Sequence, residues 1–178
     1  MADNKDEYIR ALDFLQRGTG GGQDEPTVQG IGTQNFNLLE VVVEDGERPR
    51  GGTELYIGEG DRDKVDYIKQ RISFDDLSAS AQSELEYVLK AIVDEEEERF
   101  VEFFNNATPV TPRRHAFEFL PGVGTKMRDR LIDEREEEEF ESYEDINDRL
   151  SSMRSVQDLI ADRVLNELRG DAKKRLFT

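Results

Sequence analysis

The chain has 178 residues, of which 35% are hydrophobic, enough for one or two small domains with a lean core. Its 41 acidic and 24 basic residues give a formal net charge of −17, and the lack of cysteine excludes disulfides and thiolate metal sites. No apolar run approaches the ~20 residues that cross a membrane, and the first residues lack the basic and apolar regions of a secretory signal. We therefore expect a cytoplasmic protein without a membrane partner.

The acidic surplus has two interpretations. Either the chain is disordered or mimics nucleic acid, or its surface is adapted to molar salt. Seventeen of its basic residues are arginine and only seven are lysine, a pattern typical of halophilic proteins. In molar salt the Debye length is about 3 Å, so repulsion between like charges is screened and the charge keeps the surface hydrated. We favour this halophilic interpretation, in which the charge says little about the partner.

The N-terminal part predicts a short segment followed by a β domain. Residues 1–25 form the segment, in which Tyr8–Leu15 is apolar enough to pack against a core and residues 18–22 contain four glycines, typical of a flexible connection. From 26 to 76, strand-forming residues, glycine kinks and turn signals predict a small OB-like β-barrel. Residues 65–74 also fit a helical period, so a helix is the alternative there.

The last predicted strand carries candidate nucleic-acid contacts. Alternation places Ile68, Ile72 and Phe74 on one side of it and Tyr67, Lys69 and Arg71 on the other. The candidates for base stacking and phosphate contact are Tyr56, Tyr67, Lys69 and Arg71. Exposed aromatic residues on the strands of OB folds stack on bases at ~1–3 kcal/mol each.

Residues 77–107 predict a long amphipathic connecting helix. Apolar residues recur every three or four positions from Leu77 to Phe104, and residues 105–109 contain the signals that end a helix. The acidic run Asp94–Glu98 is expected to form a solvated face. Consecutive helical residues point in different directions, so we expect no metal site there.

Residues 108–170 predict an all-α helix-hairpin-helix domain. Thr111-Pro112 fits the N-cap and first position of a short helix that ends at Pro121. Gly122 and Gly124 permit a tight turn and let the bare backbone approach a ligand. Thr125 is expected to cap the next helix, whose first-turn N–H groups and dipole can bind an anion such as phosphate.

This hairpin is also a basic island. Residues 107–132 contain five basic and two acidic residues, a local net charge of +3, so the rest of the chain carries −20. The predicted nucleic-acid-binding residues of the hairpin are Gly122, Val123, Gly124, Thr125, Lys126, Arg128, Arg113 and Arg114. The alternative is that Pro-Gly-Val-Gly only links two packed helices, as in protein-interaction hairpins.

Two further helices and a basic tail complete the chain. Ser142–Asp145 fits a capping box that opens a helix to Leu150, and Ser155–Leu168 forms the next helix. Together they predict a second, degenerate hairpin, which lacks Pro-Gly-Val-Gly and therefore supports the fold. Residues 171–178 are a basic tail that is either a second contact or a solubilising terminus.

The order of these pieces resembles an archaeal family of unknown function, domain of unknown function 655, whose members are expected to bind nucleic acid and to pair an OB-like region with a helix-hairpin-helix. The matching segments are Tyr8–Leu15, Phe36–Val41, Tyr56–Gly60, Arg62–Val65 and His115–Lys126. The resemblance implies binding of RNA or DNA, close to the transcription or translation machinery. It implies no established reaction.

No catalytic residue, cofactor or metal site is predicted. His115 is the only histidine and is expected to pack or to cap a helix. The sequence has no P-loop, no Rossmann fingerprint, no His/carboxylate metal spacing and no nucleophile motif. Asp61, Asp63, Asp75 and Asp76 suggest a metal-dependent nuclease as a third hypothesis, but such groupings arise by chance in so acidic a chain.

The sequence therefore favours a non-enzymatic nucleic-acid-binding protein. The alternative is a protein-interaction module whose acidic helix binds basic partners, such as ribosomal or RNA polymerase proteins.

Overall fold

The computed structural model describes residues 4–20 and 24–178. Within these ranges the chain has an α+β fold that divides into two compact units, and the predicted α+β class is confirmed. The β unit contains the chain up to Val88 together with Leu168–Thr178, and the helical unit contains Leu89–Glu167. In the described part of the chain, no helix is both long and apolar enough to cross a membrane.

A five-stranded antiparallel sheet forms the β unit and curls into a half-barrel. Its strands are β1 (Tyr8–Leu15), β2 (Thr27–Gly32), β3 (Leu38–Val43), β4 (Glu54–Tyr56) and β5 (Val65–Arg71). Their order across the sheet is β4-β1-β2-β3-β5, so β4 and β5 are the two edge strands. One buried core cluster contains Ile9, Ala11, Val28, Val41, Val43, Leu55, Ile57 and Val65.

The strand β1 lies inside the sheet, between β4 and β2. The sequence had placed it in a separate N-terminal segment, residues 1–25, because nothing local shows that it pairs with strands later in the chain. The predicted flexible connection at residues 18–22 is described only as far as Gly20. Residues 21–22 lie outside the described part of the chain.

The edge strand β5 has an irregular register with β3. Arg71 lies opposite Leu39, Ile68 lies opposite Val41, and the register shifts between these two pairs. Opposite residues share a face, and Leu39 and Val41 are two residues apart, so Ile68 and Arg71 lie on the same face. The prediction that they lie on opposite sides is wrong. Alternation assumes a regular strand, and a bulge adds one residue and reverses the pattern beyond it.

A buried hydrogen-bond network ties the sheet to the start of the next helix. The Glu40 side chain is buried and accepts hydrogen bonds from the amides of Gln29 and Gln70. Gln29 also donates to the Asp76 carbonyl at 3.1 Å and accepts from the Ser78 amide at 2.8 Å. Polar groups are tolerated in this core because each has a partner.

Two helices replace the single long helix predicted over residues 77–107. A short 3-10 helix precedes α1 (Ala79–Glu95), and α2 (Glu97–Asn106) follows after an interruption at Glu96. The helix ends at Asn106, within the predicted stop signal. Glu96 has φ −96° and ψ 33°, outside helical values, and the apolar period continues across it, so the sequence gives no sign of the interruption.

The helical unit also contains a small hairpin, a 3-10 helix and three α-helices. They are β6 (Pro109–Thr111), β7 (Arg114–His115), the 3-10 helix Ala116–Phe119, α3 (Thr125–Glu137), α4 (Tyr143–Arg149) and α5 (Val156–Arg169), whose last residues belong to the β unit.

The α-helix predicted to begin at Thr111-Pro112 is absent from the described structure, where β6, β7 and the 3-10 helix occupy its place. The Thr111 hydroxyl accepts hydrogen bonds from the amides of Arg113 at 3.3 Å and Arg114 at 3.0 Å. Threonine side chains that bond to the following amides favour turns over helices. Thr111, which was expected to cap a helix, therefore closes the turn between β6 and β7.

Candidate functional site

The predicted Pro-Gly-Val-Gly segment forms a tight turn immediately before α3. The Val123 amide donates to the Leu120 carbonyl at 3.1 Å, and Gly122 has φ 78°, in the left-handed region that favours glycine. The Val123 side chain is buried and anchors the turn to the helical unit. We call Gly122–Lys126 the hairpin turn.

The backbone of the hairpin turn faces open space. A Cβ atom added at Gly122 or Gly124 would meet no other atom within 4 Å. Gly124, Thr125 and Lys126 are all exposed. Gly124 has φ −95°, which any residue can adopt. The backbone conformation at this position therefore does not require glycine.

The N-terminus of α3 has no side-chain cap. The N-cap position is Gly124, whereas the sequence predicted Thr125, which instead is the first helical residue. By contrast, the Ser142 hydroxyl accepts from the Asp145 amide before α4, which is the serine half of the predicted capping box, whereas the Asp145 carboxylate accepts from the Glu141 amide. Before α5, the Ser155 hydroxyl accepts from the Asp158 amide at 3.2 Å. Uncapped first-turn N–H groups are available to an external anion.

Two of the predicted basic contacts are engaged by neighbouring groups. Arg128 forms ion pairs with Asp129 at 2.9 Å and Glu118 at 3.2 Å. Hydrogen bonds to Asp129 and then to Glu118 raise the pKa of the Arg128 guanidinium. Arg114 donates to the Glu118 carbonyl at 2.7 Å and lies 4.2 Å from the centre of the Phe119 ring. Arg128 is therefore partly neutralised, and Arg114 keeps its charge but has part of its guanidinium engaged.

The other two basic candidates are free to meet a ligand. Arg113 and Lys126 are exposed, and neither side chain has a hydrogen bond or ion pair with any described residue. Arg113 also lines a cleft of about 280 Å³ between the β6–β7 hairpin and α3. Other residues that line this cleft are Thr111, Arg114, His115, Arg128 and Ile132.

His115 is a structural residue of this region. Its Nδ1 accepts a hydrogen bond from the Phe117 amide at 3.1 Å and so caps the 3-10 helix, as predicted. Burial and the nearby Arg135 lower the pKa of the imidazole, which favours the neutral form that can accept this bond. Within the described residues, no group of three or more histidine or carboxylate side chains is arranged to hold a metal ion.

The candidates on β5 do not form one surface. Tyr67 donates its hydroxyl to Glu25 at 2.7 Å, which raises the pKa of the phenol, and Lys69 lies 3.7 Å from the same carboxylate. Arg71 lies on the opposite side, with Ile68. Strand β5 therefore brings together only two of its three predicted contact residues.

A second cleft, about 720 Å³ in volume, lies between the two edge strands. Arg71 and Tyr56 line it, together with residues that the sequence did not predict: Lys5, Asn37, Leu39, Ile57, Arg62 and Ile68. One local signal was present. A Cβ on Gly58 or Gly60 would come within 3 Å of the Tyr56 side chain, so the glycine spacing after Tyr56 marks a loop folded against its ring.

These features define an α+β protein with a curled antiparallel sheet and a separate helical unit. A family model described as "protein of unknown function (DUF655)" matches residues 5–178, so the chain belongs to this family, as the resemblance predicted. The chain is similar to the uncharacterized protein MJ0038 of Methanocaldococcus jannaschii, with 37% identity over 172 residues that cover 97% of this chain and 78% of that protein. It is also similar to the crystal structure of Af1531 from Archaeoglobus fulgidus, with 38% identity, a TM-score of 0.89 and coverage of 97% and 99% of the two chains.

Proposed function

We propose that this protein binds RNA or DNA and holds the phosphate backbone through the hairpin turn. The observation that carries this proposal is the exposed, uncapped N-terminus of α3 behind two glycines with open space around them. First-turn amides and the helix dipole stabilise a bound anion. Arg113 and Lys126 add positive charge, and their side chains have no partner among the described residues.

On this proposal the hairpin turn binds phosphate as a helix-hairpin-helix does, although the helix before the turn is a short 3-10 helix and not an α-helix. Phosphate binding by such a motif depends on the amides between the two helical elements and on the second helix. The Ala116–Phe119 helix, the turn at Gly122 and the 13-residue α3 supply these parts in order. We therefore propose a shortened helix-hairpin-helix at residues 116–137.

The β unit adds a second proposed contact. We infer an OB-like surface from its curled five-stranded sheet, which is left open between β4 and β5. OB folds hold single strands on a curved sheet with exposed aromatic and basic side chains. On this proposal Tyr67 and Lys69 contact nucleic acid from one face of β5, and the protein acts in the cytoplasm beside the transcription or translation machinery, without catalysing a reaction.

The test compares three variants for binding to single-stranded and duplex oligonucleotides. Gly124→Val places a side chain where the phosphate would lie, whereas Lys126→Ala removes one charge. We expect Gly124→Val to weaken binding more than Lys126→Ala, by about tenfold or more, because several charge-assisted hydrogen bonds are lost at once. Gly20→Val is a matched control, since its Cβ would also meet no atom within 4 Å.

Two results would contradict the proposal. A folded Gly124→Val variant that binds with full affinity would exclude the hairpin turn as the contact. Cleavage of the oligonucleotide that stops when a chelator is added would instead place the protein among metal-dependent nucleases.

A second candidate function is binding of a basic protein. A shallow cleft of about 400 Å³ on α1 and α2 is lined by Glu95, Glu96, Glu98, Arg99 and Glu102. Four carboxylates around one guanidinium favour a basic partner, such as a ribosomal or RNA polymerase protein. Pull-down before and after nuclease treatment separates the two functions, because only direct protein partners survive the nuclease.

A further inference from the structure

The cleft between β4 and β5, the edge cleft, has an apolar floor. Leu39, Ile57 and Ile68 line it, and Ile68 is 38% exposed even though it shares a face with the core residue Val41. The half-barrel leaves its two edge strands apart, so Ile68 faces solvent there, whereas Leu39 is half-buried and Ile57 is buried. Apolar surface that remains exposed in a concave site contributes to binding when a ligand covers it.

The N-terminal wall of the edge cleft is held in place by a buried carboxylate. Asp6 accepts hydrogen bonds from the amides of Gln34 at 2.8 Å and Asn35 at 2.7 Å. It also accepts from the Asn37 side chain at 2.7 Å, and Asn37 donates to the Asn4 carbonyl at 2.7 Å. Residues 4–7 and the 33–37 loop therefore form one fixed wall.

The opposite wall is fixed by Tyr56. Its hydroxyl accepts a hydrogen bond from the Gly60 amide at 3.0 Å, and its ring lies 5.3 Å from the ring of Tyr8. The Arg62 side chain donates to the Gly58 carbonyl at 2.8 Å and closes the same loop. Both walls exist without a ligand, so binding requires little ordering.

The polar rim of the edge cleft can recognise an anion. Arg71 is exposed, and its side chain has no hydrogen bond or ion pair with any described residue. Lys5 and Arg62 lie on the same rim. The carboxylates of Glu7 and Glu59 also line the cleft, so its charge is mixed rather than uniformly positive.

We propose that the edge cleft binds one unpaired nucleotide of a single strand, with the base on the apolar floor and a phosphate at Arg71. A volume of about 720 Å³ accommodates a nucleotide. The flat face of the base matches the apolar floor of the cleft, and the phosphate matches the basic residues of its rim. This inference rests on the proposed nucleic-acid binding and adds a preference for single strands.

The same edge is poorly suited to a peptide strand. Two register shifts interrupt the pairing of β5 with β3, and Asp66, Lys69 and Arg71 place charges along β5. Bulges and charged residues are features that prevent the addition of another strand to a sheet edge. A nucleotide needs no regular edge, which favours it over a peptide.

The first test measures the affinity of folded full-length variants for a single strand and for a duplex of the same sequence. Ile68→Glu places a charge on the floor. Arg71→Gln changes only the exposed rim and keeps the test possible if Ile68→Glu fails to fold. We expect each to weaken single-strand binding by about tenfold and to leave duplex binding through the hairpin turn unchanged. Arg48→Gln, at an exposed loop position outside the cleft, removes the same charge as Arg71→Gln and is the control that should change neither.

The second test does not depend on the hairpin turn. Nuclear magnetic resonance with isotope-labelled protein and a nucleoside monophosphate should show saturable shifts at Gly58, Gly60 and Ile68 in wild type. Ile68→Glu should abolish them. The edge-cleft site would be overturned if wild type shows no shifts and both Ile68→Glu and Arg71→Gln keep full affinity for the single strand. It would also be overturned if these variants lose the same affinity for the single strand and for the duplex.

The two proposals can fail separately. If Gly124→Val leaves duplex binding intact while the monophosphate still shifts the edge-cleft resonances, the proposed function of the hairpin turn fails and the nucleotide site stands. If a peptide, but not the monophosphate, shifts these resonances, the nucleotide site fails.

Discussion

At the scale of single residues, Asp6 is the side chain on which the 33–37 loop depends. A buried carboxylate has no hydrogen to donate, and here it faces the N–H groups of Gln34, Asn35 and Asn37. The chain also approaches it so closely that a Cβ at Gly32 would lie within 2 Å of its oxygen. A glycine at position 32 is therefore required by Asp6, and not by a turn.

Asp6→Asn should lower the free energy of unfolding by about 2 kcal/mol, because the new NH2 group replaces a charged acceptor among donors and leaves buried N–H groups unpaired. Urea unfolding monitored by circular dichroism measures the change. Asp171→Asn, at an exposed position near the C-terminus, is the control and should have almost no effect. Equal stability of Asp6→Asn and wild type would show that the loop does not depend on this carboxylate.

At the scale of elements, local signals predicted α4 and α5 well. The serine cap at Ser142 and the apolar period of α5 both act within a few residues, so the sequence alone specifies them. The faces of β5 could not be predicted, because Ile68 and Arg71 take their orientation from a bulge against β3. The hairpin at Thr111 was missed because the same residue type favours a helical cap or a turn.

The candidate site was also predicted only in part, because some of its features depend on neighbouring residues and others on the packing of distant elements. Gly122 and Gly124 lie close together in sequence, so their turn and its exposure follow from local geometry. The engagement of Arg128 by Glu118 required the packing of two elements, and a count of charges could not show it. The edge cleft combines four segments of the chain and left only the glycines after Tyr56 as a signal.

Gly124→Ser should separate stability from binding within α3. Serine is a better N-cap than glycine, so its hydroxyl should satisfy a first-turn amide and raise the free energy of unfolding by a few tenths of a kcal/mol. The same hydroxyl would occupy an N–H group that we propose for phosphate, so affinity for nucleic acid should fall. Thermal unfolding and fluorescence anisotropy measure the two effects. A variant with higher stability and undiminished affinity would contradict the proposed use of these amides.

At the scale of the whole molecule, the dominant feature is a basic island in an acidic chain. Residues 107–132 carry +3, and the remainder of the chain carries −20. Both acidic residues in that count, Glu118 and Asp129, pair with Arg128, so this arginine adds no net positive charge to the island. Long-range attraction to a polyanion is therefore weak, and contact must depend on short hydrogen bonds from the hairpin turn.

Affinity for nucleic acid should change little, or rise, between moderate and molar potassium chloride. Most nucleic-acid-binding proteins lose affinity steeply with salt, because their lysine and arginine contacts displace counterions. Here salt screens the repulsion between the acidic surface and the polyanion, whereas amide hydrogen bonds act at contact distance and survive screening better. Titration of wild type and Lys126→Ala across salt, with circular dichroism at each concentration, measures the slope. A steep fall for folded wild type that Lys126→Ala flattens would show that released counterions, and not backbone amides, drive binding.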